Sequence, residues 1–143
     1  MPSGRPIYDA LKANNKVNDI TPWLAWFAAT AIEAERRAIA FVEFLIDKTR
    51  LLDRLRDQLN DRQQKALLRM LREYPQGFEG GLSASKYIGI TGAPPATATR
   101  DLSDLVAKGA LVRAGERRHA RYDLGIPQRP VSPVTMDDHG DLV

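Results

Sequence analysis

Residues 83–124 read SASKYIGITGAPPATATRDLSDLVAKGALVRAGERRHARYDL, and this stretch decides the fold of the chain. A short helix is predicted at its start, and it ends at Gly92 because glycine accepts the left-handed backbone of a tight turn. A second helix is predicted from near Pro94 to about Lys108, since proline favours the first turn of a helix. The stretch therefore opens with two helices joined by a tight turn.

The second helix has one apolar face and is followed by a hairpin. Its apolar residues recur at i, i+4, i+7 and i+8, at Ala98, Leu102, Leu105 and Val106. Gly109 is expected to end the helix in a left-handed conformation. Residues 111–113 and 120–124 then predict two strands joined by a basic turn. Two helices followed by such a hairpin are typical of a winged helix-turn-helix, in which the hairpin is the wing.

The exposed side chains of this unit suit a nucleic-acid partner. The hairpin carries Arg113, Arg117, Arg118 and Arg121 with His119 beside them, and a guanidinium fork matches the oxygens of a phosphate. A slim helix rich in Ser, Thr and Ala suits entry into a major groove. We predict contacts with double-stranded DNA by Thr97, Thr99, Arg100 and Ser103 in the groove, by Ser85 and Lys86 on the backbone, and by Arg117, Arg118 and Arg121 from the wing.

The net charge of this stretch supports a nucleic-acid partner, but an alternative function stays open. Residues 80–124 contain seven Lys or Arg and four Asp or Glu, so their local net charge of +3 equals that of the whole chain. Asp101 and Asp104 lie on the second helix and would repel phosphate if they faced it. Winged helices also serve as protein-recognition or regulatory modules, and this is the alternative function.

Composition excludes several classes of site. The chain has no cysteine, so disulfides, thiolate metal sites and a cysteine nucleophile are excluded. His119 and His139 are a poor ligand set for a metal, and we expect no cofactor. The longest apolar run, residues 23–32, is far shorter than the roughly 20 residues that span a bilayer. No signal sequence is evident, and we expect a cytoplasmic protein without membrane contact.

A long helix is predicted upstream, from near Pro22 through at least Lys48. Its apolar stripe consists of Trp23, Phe27, Ala31, Ala34, Ala38, Phe41 and Leu45. One interpretation is that Tyr8, Leu11 and the winged helix cover this apolar surface. We favour the other interpretation and predict that Trp23, Trp26 and Phe27 form an interface with another domain or with a second copy of the chain, which makes a homodimer possible.

A third helix start lies between the long helix and the winged stretch. Asn60 with Gln63 is a variant of the capping box, and the helix continues to Tyr74. The tail from Gly125 has little periodicity and is expected to be disordered or extended. We therefore predict a mainly α protein with a helical segment at 1–59, a winged helix-turn-helix at 60–124 and a loose tail at 125–143.

The order of several sequence blocks resembles the C-terminal part of Fic-family proteins. The blocks are Tyr8–Leu11, Asp19–Leu24 with Trp26 and Phe27, Leu59–Gln63, and Thr99–Leu102 followed by Leu105, Val106 and Gly109. The resemblance covers about residues 6–124. The sequence Asp-Ile-Thr-Pro-Trp-Leu at Asp19–Leu24 is its most specific element, whereas the winged-helix block is common to many families.

The resemblance implies a position within a larger fold rather than an activity. Fic proteins typically transfer AMP from ATP to a hydroxyl side chain of a target protein, using a loop that reads His-Pro-Phe-x-x-Gly-Asn-Gly-Arg. Neither His119 nor His139 begins such a loop, so we expect a non-catalytic chain and assign no catalytic residue. The first helices would close a Fic core, and Trp23, Trp26 and Phe27 would pack on it. The chain is then a piece of a longer protein or a truncated relative.

Overall fold

The computed structural model describes residues 9, 12, 19–74 and 77–143, and these residues form a mainly helical protein with one small hairpin. The elements are α1 (Thr21–Arg54), α2 (Asp61–Arg72), α3 (Ala84–Thr91), α4 (Pro95–Ala107), β1 (Leu111–Ala114), a 3-10 turn (Arg117–His119) and β2 (Arg121–Leu124). The predicted fold class, a long N-terminal helix followed by helices and a β-hairpin, is confirmed. Tyr8 and Leu11, in the first block of the Fic resemblance, lie outside the described residues.

The chain divides into two compact units. The first unit combines the residues up to Glu43 with Arg129–Val143, and the second unit is Phe44–Gln128. The last turns of α1 belong to the second unit because Phe44 and Leu51 are buried in its core. The boundary predicted between residues 59 and 60 therefore lies inside the second unit.

The core of the second unit is built by the last turns of α1, by α2, α3 and α4, and by the hairpin. Its fully buried large side chains are Leu67 from α2, Leu82, Tyr87 from α3, Leu102 and Leu105 from α4, and Leu111 from β1. Burying one such side chain contributes about 2 kcal/mol. Leu82 also exchanges two backbone hydrogen bonds with Tyr122 of β2, both 2.9 Å long. This bridge fixes the hairpin to the segment that precedes α3.

The helix ends of the second unit follow the predicted signals. The Asn60 side chain accepts from the N–H of Gln63 at 2.9 Å, and the Gln63 side chain accepts from the N–H of Asn60 at 3.0 Å, which confirms the capping box. Gly92 and Gly109 have φ values of 71° and 67°, so both glycines adopt the predicted left-handed conformation. After α4, the N–H of Ala110 donates back to the carbonyl of Leu105, which completes a Schellman motif.

One buried carboxylate joins α4 to the two helices before it. Asp101 is 5% exposed, and it accepts hydrogen bonds from Tyr87 Oη at 2.9 Å, Arg62 Nε at 2.8 Å and Asn60 Nδ2 at 3.1 Å. Burial raises the pKa of Asp101, but the bonds from Arg62, Tyr87 and Asn60 outweigh it and hold the pKa below its usual value. Burial of the Tyr87 hydroxyl, and then its hydrogen bond to this carboxylate, raise the pKa of Tyr87. The group is therefore an ionised anchor whose lone pairs are occupied.

A second set of polar contacts holds the other end of α4. Asp104 accepts from Lys108 Nζ at 2.6 Å and from Gln63 Nε2 at 2.7 Å, and these bonds hold its pKa below the usual value. At the C-terminal end of α4, Arg54 donates to the carbonyls of Lys108 and Gly109 at 3.1 and 3.2 Å. A cation at this end of a helix also complements the helix dipole.

The first unit consists of the start of α1 and the tail. Asp19 accepts from the N–H of Thr21 at 3.0 Å, so the side chain that caps α1 belongs to Asp19. The tail has little regular structure, but it has specific contacts. Arg129 pairs with Glu43 at 2.9 Å, and the N–H of the buried Val134 donates to Glu33 at 2.8 Å.

The ionised Asp101 makes the free energy of unfolding depend on pH in the acid range. Because its folded pKa lies below the unfolded value of about 3.9, the carboxylate stabilises the fold above that pH and loses this contribution as pH falls below it. We expect Asp101→Asn to lower the free energy of unfolding at pH 7 by about 2 kcal/mol. Urea denaturation of this variant, followed by circular dichroism at several pH values, should also show that its free energy of unfolding falls less steeply in acid than that of the original protein.

Asp123→Asn is the matched control, since Asp123 is an exposed carboxylate on β2. It should keep both the stability at pH 7 and the acid dependence of the original protein. If the stability of the Asp101→Asn variant depends on pH as that of the original protein does, the role of Asp101 as an ionised anchor is contradicted.

Candidate nucleic-acid interface

A concave surface of the second unit lies between the start of α3, the outer side of α4 and the hairpin. Its volume is about 570 Å³. We call it the arginine groove, and besides Tyr122 its polar lining consists of Ser83, Ser85, Thr99, Ser103, Arg113, Arg117, Arg118 and Arg121. The groove thus combines one cationic wall from the hairpin with hydroxyl groups from the two helices of the helix-turn-helix.

The charge of the groove has one sign. Four arginines line it, whereas none of the described residues in its lining is Asp or Glu. Guanidinium groups stay protonated at every physiological pH and present fixed forks of donors. A concave surface of this kind attracts and orients polyanions.

The two acidic residues of α4 do not oppose such a ligand. Asp101 faces α2 and α3, where it is bound by Arg62 and Tyr87. Asp104 forms an ion pair with Lys108 and accepts a hydrogen bond from Gln63. Burial therefore keeps the charge of Asp101 away from a phosphate on the outer side of α4, and the ion pair with Lys108 offsets the charge of the half-exposed Asp104.

The structure brings six of the nine predicted contact residues together in the arginine groove. They are Ser85, Thr99, Ser103, Arg117, Arg118 and Arg121. Thr97 and Arg100 lie on α4 outside the lining, Thr97 half-buried and Arg100 exposed.

Lys86 is occupied by the loop that precedes α3. Its ammonium group donates to the carbonyls of Glu79 at 2.6 Å and Gly81 at 3.0 Å, and it lies 5.6 Å from the centre of the Phe78 ring. These contacts satisfy two of its three donors and hold the loop against the start of α3. The structure thus gives Lys86 a positioning role in this loop, and its contact with the DNA backbone stays a prediction.

Arg113 joins the groove although it was not among the predicted contacts. Arg113 pairs with Tyr122 in the hairpin, so it shares the face of Leu111, Tyr122 and Leu124, which is turned towards the core. Because side chains two residues apart on a strand share a face, the buried Leu111 already placed Arg113 there. Strand alternation is thus the sequence signal that points to Arg113.

The hairpin turn holds its arginines in a constrained backbone. Gly115 has a φ of 75°, and a Cβ atom at this position would lie 2.9 Å from the carbonyl oxygen of His119. Arg117 has a φ of 51°, which is the left-handed region that residues with a Cβ avoid. Arg118 Nε also donates to His119 at 3.2 Å. The backbone that carries these guanidinium groups is therefore constrained.

The aromatic residues predicted as an interface lie on α1, in the first unit. Phe27 is 55% exposed, whereas Trp23 and Trp26 are half-buried. The rings of Trp23 and Phe27 stack with their centres 5.6 Å apart. They therefore form one aromatic surface that is partly accessible.

Other classes of site have less support in the described part of the chain. No three His, Asp or Glu side chains of the described residues come together as a candidate metal site. Among the same residues, no helix has both the length and the apolar character needed to cross a membrane. Comparison with protein-family models and with curated proteins gave no match. The function of the groove is therefore inferred from its geometry and charge.

The left-handed backbone at Arg117 gives a prediction about stability. Glycine adopts this conformation freely, whereas alanine keeps the strain of about 1 kcal/mol. We expect Arg117→Gly to have a higher Tm than Arg117→Ala, although both variants lose the same charge. Thermal unfolding of the two variants side by side measures the difference. A higher Tm for Arg117→Ala would show that the residue does not adopt a left-handed conformation.

Proposed function

We propose that the second unit is a winged helix-turn-helix that binds double-stranded DNA through the arginine groove. The observation that carries the proposal is the convergence of four guanidinium groups and four hydroxyl groups on one concave surface whose described lining holds no carboxylate. Phosphate contacts from Lys and Arg supply most of the affinity of proteins for nucleic acid.

Two parts of the groove take different roles in this proposal. The hairpin arginines neutralise phosphates and fix the register of the protein on the duplex. Thr99 and Ser103 on the outer side of α4, with Arg100 beside them, read base edges in the major groove. Serine and threonine donate to or accept from several bases, so Arg100 would supply the stronger discrimination through guanine.

A protein partner at α1 is the second role that we propose. Its basis is the exposed Phe27 ring, stacked on Trp23, together with the sequence order that resembles the C-terminal part of Fic proteins. In this proposal the chain is a non-catalytic part of a Fic-family protein, and α1 docks on the Fic core. The winged helix would then serve as a DNA-binding or regulatory module for that core.

The salt dependence of binding tests the DNA proposal directly. If Arg113, Arg117, Arg118 and Arg121 each neutralise one phosphate, log Kd should change with log salt concentration with a slope of about 3.6. Affinity then falls roughly a hundredfold for a fourfold increase in salt. Fluorescence anisotropy with a labelled duplex measures this slope. The double variant Arg117→Ala/Arg118→Ala should reduce it by about 1.8.

The matched control removes two arginines from α2, which does not line the groove. Arg69→Ala/Arg72→Ala loses the same charge, and its slope should equal that of the original protein. An equal reduction of the slope in both double variants would indicate that net charge alone attracts the DNA. Absence of binding even at low salt would contradict the DNA proposal and favour protein recognition.

The partner at α1 is tested separately. We expect Phe27→Ala to weaken binding to a Fic catalytic domain at least tenfold, because a buried aromatic anchor contributes about 2 kcal/mol or more. The same variant should leave the affinity for DNA unchanged. Isothermal titration calorimetry measures the first affinity, and Ile39→Ala, another exposed apolar residue of α1, is the control. Equal effects of the two variants would argue against a specific aromatic contact.

A further inference from the structure

The positive charge of the arginine groove is not offset by acidic side chains. Elsewhere in the described part of the chain, several arginines form ion pairs with Asp or Glu, namely Arg37, Arg56, Arg62, Arg69 and Arg129. No ion pair between described residues includes any of the four arginines of the groove. Their charge is therefore left for a ligand.

The two acidic residues of the hairpin lie outside the lining of the groove. Asp123 follows Tyr122 along β2, and it lines a separate small cavity with Gly81 and Gln128. Glu116 lies in the turn, where its backbone carbonyl accepts from the N–H of His119 at 3.0 Å. The chemistry of the lining thus favours an anion over a cation or a neutral ligand.

Most hydrogen-bond donors of the groove are free to bind this anion. The side chains of Arg113, Ser85 and Ser103 make no hydrogen bond with another described residue. Arg118 uses one N–H for His119, and Arg121 uses one for the carbonyl of Ala120, so most of their guanidinium donors are also unoccupied.

The floor of the groove is apolar and closed. Leu102, Ala120 and Tyr122 line it, and they are 0%, 8% and 7% exposed. A concave surface of one charge above a low-dielectric floor focuses its field on a bound anion. Attraction is therefore stronger here than at arginines that are scattered on a convex surface.

Volume and charge together indicate a short chain of phosphates. The 570 Å³ of the groove falls within the range of about 300–1,000 Å³ that small-molecule sites occupy. One phosphate carries about two negative charges, whereas three linked phosphates carry about four and match the four guanidinium groups. Guanidinium forks bind phosphate oxygens in pairs, which adds direction to this attraction.

We propose that the arginine groove binds a chain of three phosphates, either free or attached to a nucleoside, and that this ligand excludes DNA from the groove. The exclusion of DNA rests on the proposed function, whereas the phosphate site stands on the groove alone. A small anion that occupies the hairpin arginines would then control whether the second unit can bind a duplex.

Isothermal titration calorimetry of the full chain with inorganic tripolyphosphate tests the site, at constant ionic strength and without divalent cations. We expect one ligand per chain and an affinity about a hundredfold above that of orthophosphate, because the longer anion engages more guanidinium groups. Titration with GTP distinguishes the two sources of the ligand. A higher affinity for GTP than for tripolyphosphate identifies a nucleotide, and an equal or lower one identifies the phosphate chain itself.

Arg113→Gln and Arg118→Gln should each weaken binding of tripolyphosphate about tenfold or more. Arg72→Gln removes the same charge from α2, outside the groove, and should bind as the original protein does. Circular dichroism checks that all three variants are folded. Tripolyphosphate that binds no more tightly than orthophosphate, or equal affinities in the groove variants and Arg72→Gln, overturns the site.

Fluorescence anisotropy with a labelled duplex tests the exclusion separately. Tripolyphosphate should release the duplex at concentrations near its own Kd, whereas orthophosphate at the same ionic strength should not. Duplex and tripolyphosphate bound together would overturn the exclusion. A chain that binds tripolyphosphate but no duplex would contradict the DNA proposal and leave the phosphate site standing.

Discussion

The buried carboxylate of Asp101 is the interaction on which the proposed site depends. It must stay ionised in a position that is 5% exposed, and three donors from α2, its cap and α3 make this possible. Their fixed directions set the rotation of α4 about its own axis. Because Thr99 and Ser103 lie about 160° around the helix from Asp101, turning the carboxylate inward turns both hydroxyl groups outward. One ion cluster thus determines which face of α4 meets a ligand.

The position of α4 along its axis is set by different contacts. Arg54 holds the carbonyls of Lys108 and Gly109, while Lys108 donates to the carbonyl of Gln58 at 2.5 Å. These bonds tie the C-terminal end of α4 to the last turn of α1 and the segment that follows it. A groove built on helices held at both ends keeps its hydroxyl and guanidinium groups in place, which reduces the ordering that binding requires.

Local signals in the sequence predicted the elements, but they did not predict the direction of the polar side chains. Gly92, Gly109 and the Asn60 cap act over a few residues, so their roles were readable from spacing. The sequence alone does not show that Asp101 faces inward, because its partner Arg62 lies 39 residues away. The contacts of Lys86 with the carbonyls of Glu79 and Gly81 could not be predicted, because these carbonyls belong to an irregular loop whose path no periodicity describes. Only packing of the whole unit determines these directions.

The arginine groove and the exposed apolar residues of α1 differ in the force that each can supply. The groove offers charge at an exposed surface, so its interactions weaken as salt screens them. On α1, Leu24, Phe27 and Ile39 are 47%, 55% and 53% exposed, and burial of such apolar area is strengthened by excluded salts such as sulfate. Raising the concentration of such a salt should therefore weaken DNA binding by the groove and strengthen binding of the proposed protein partner at α1. The two proposed roles thus rest on forces that respond to salt in opposite directions.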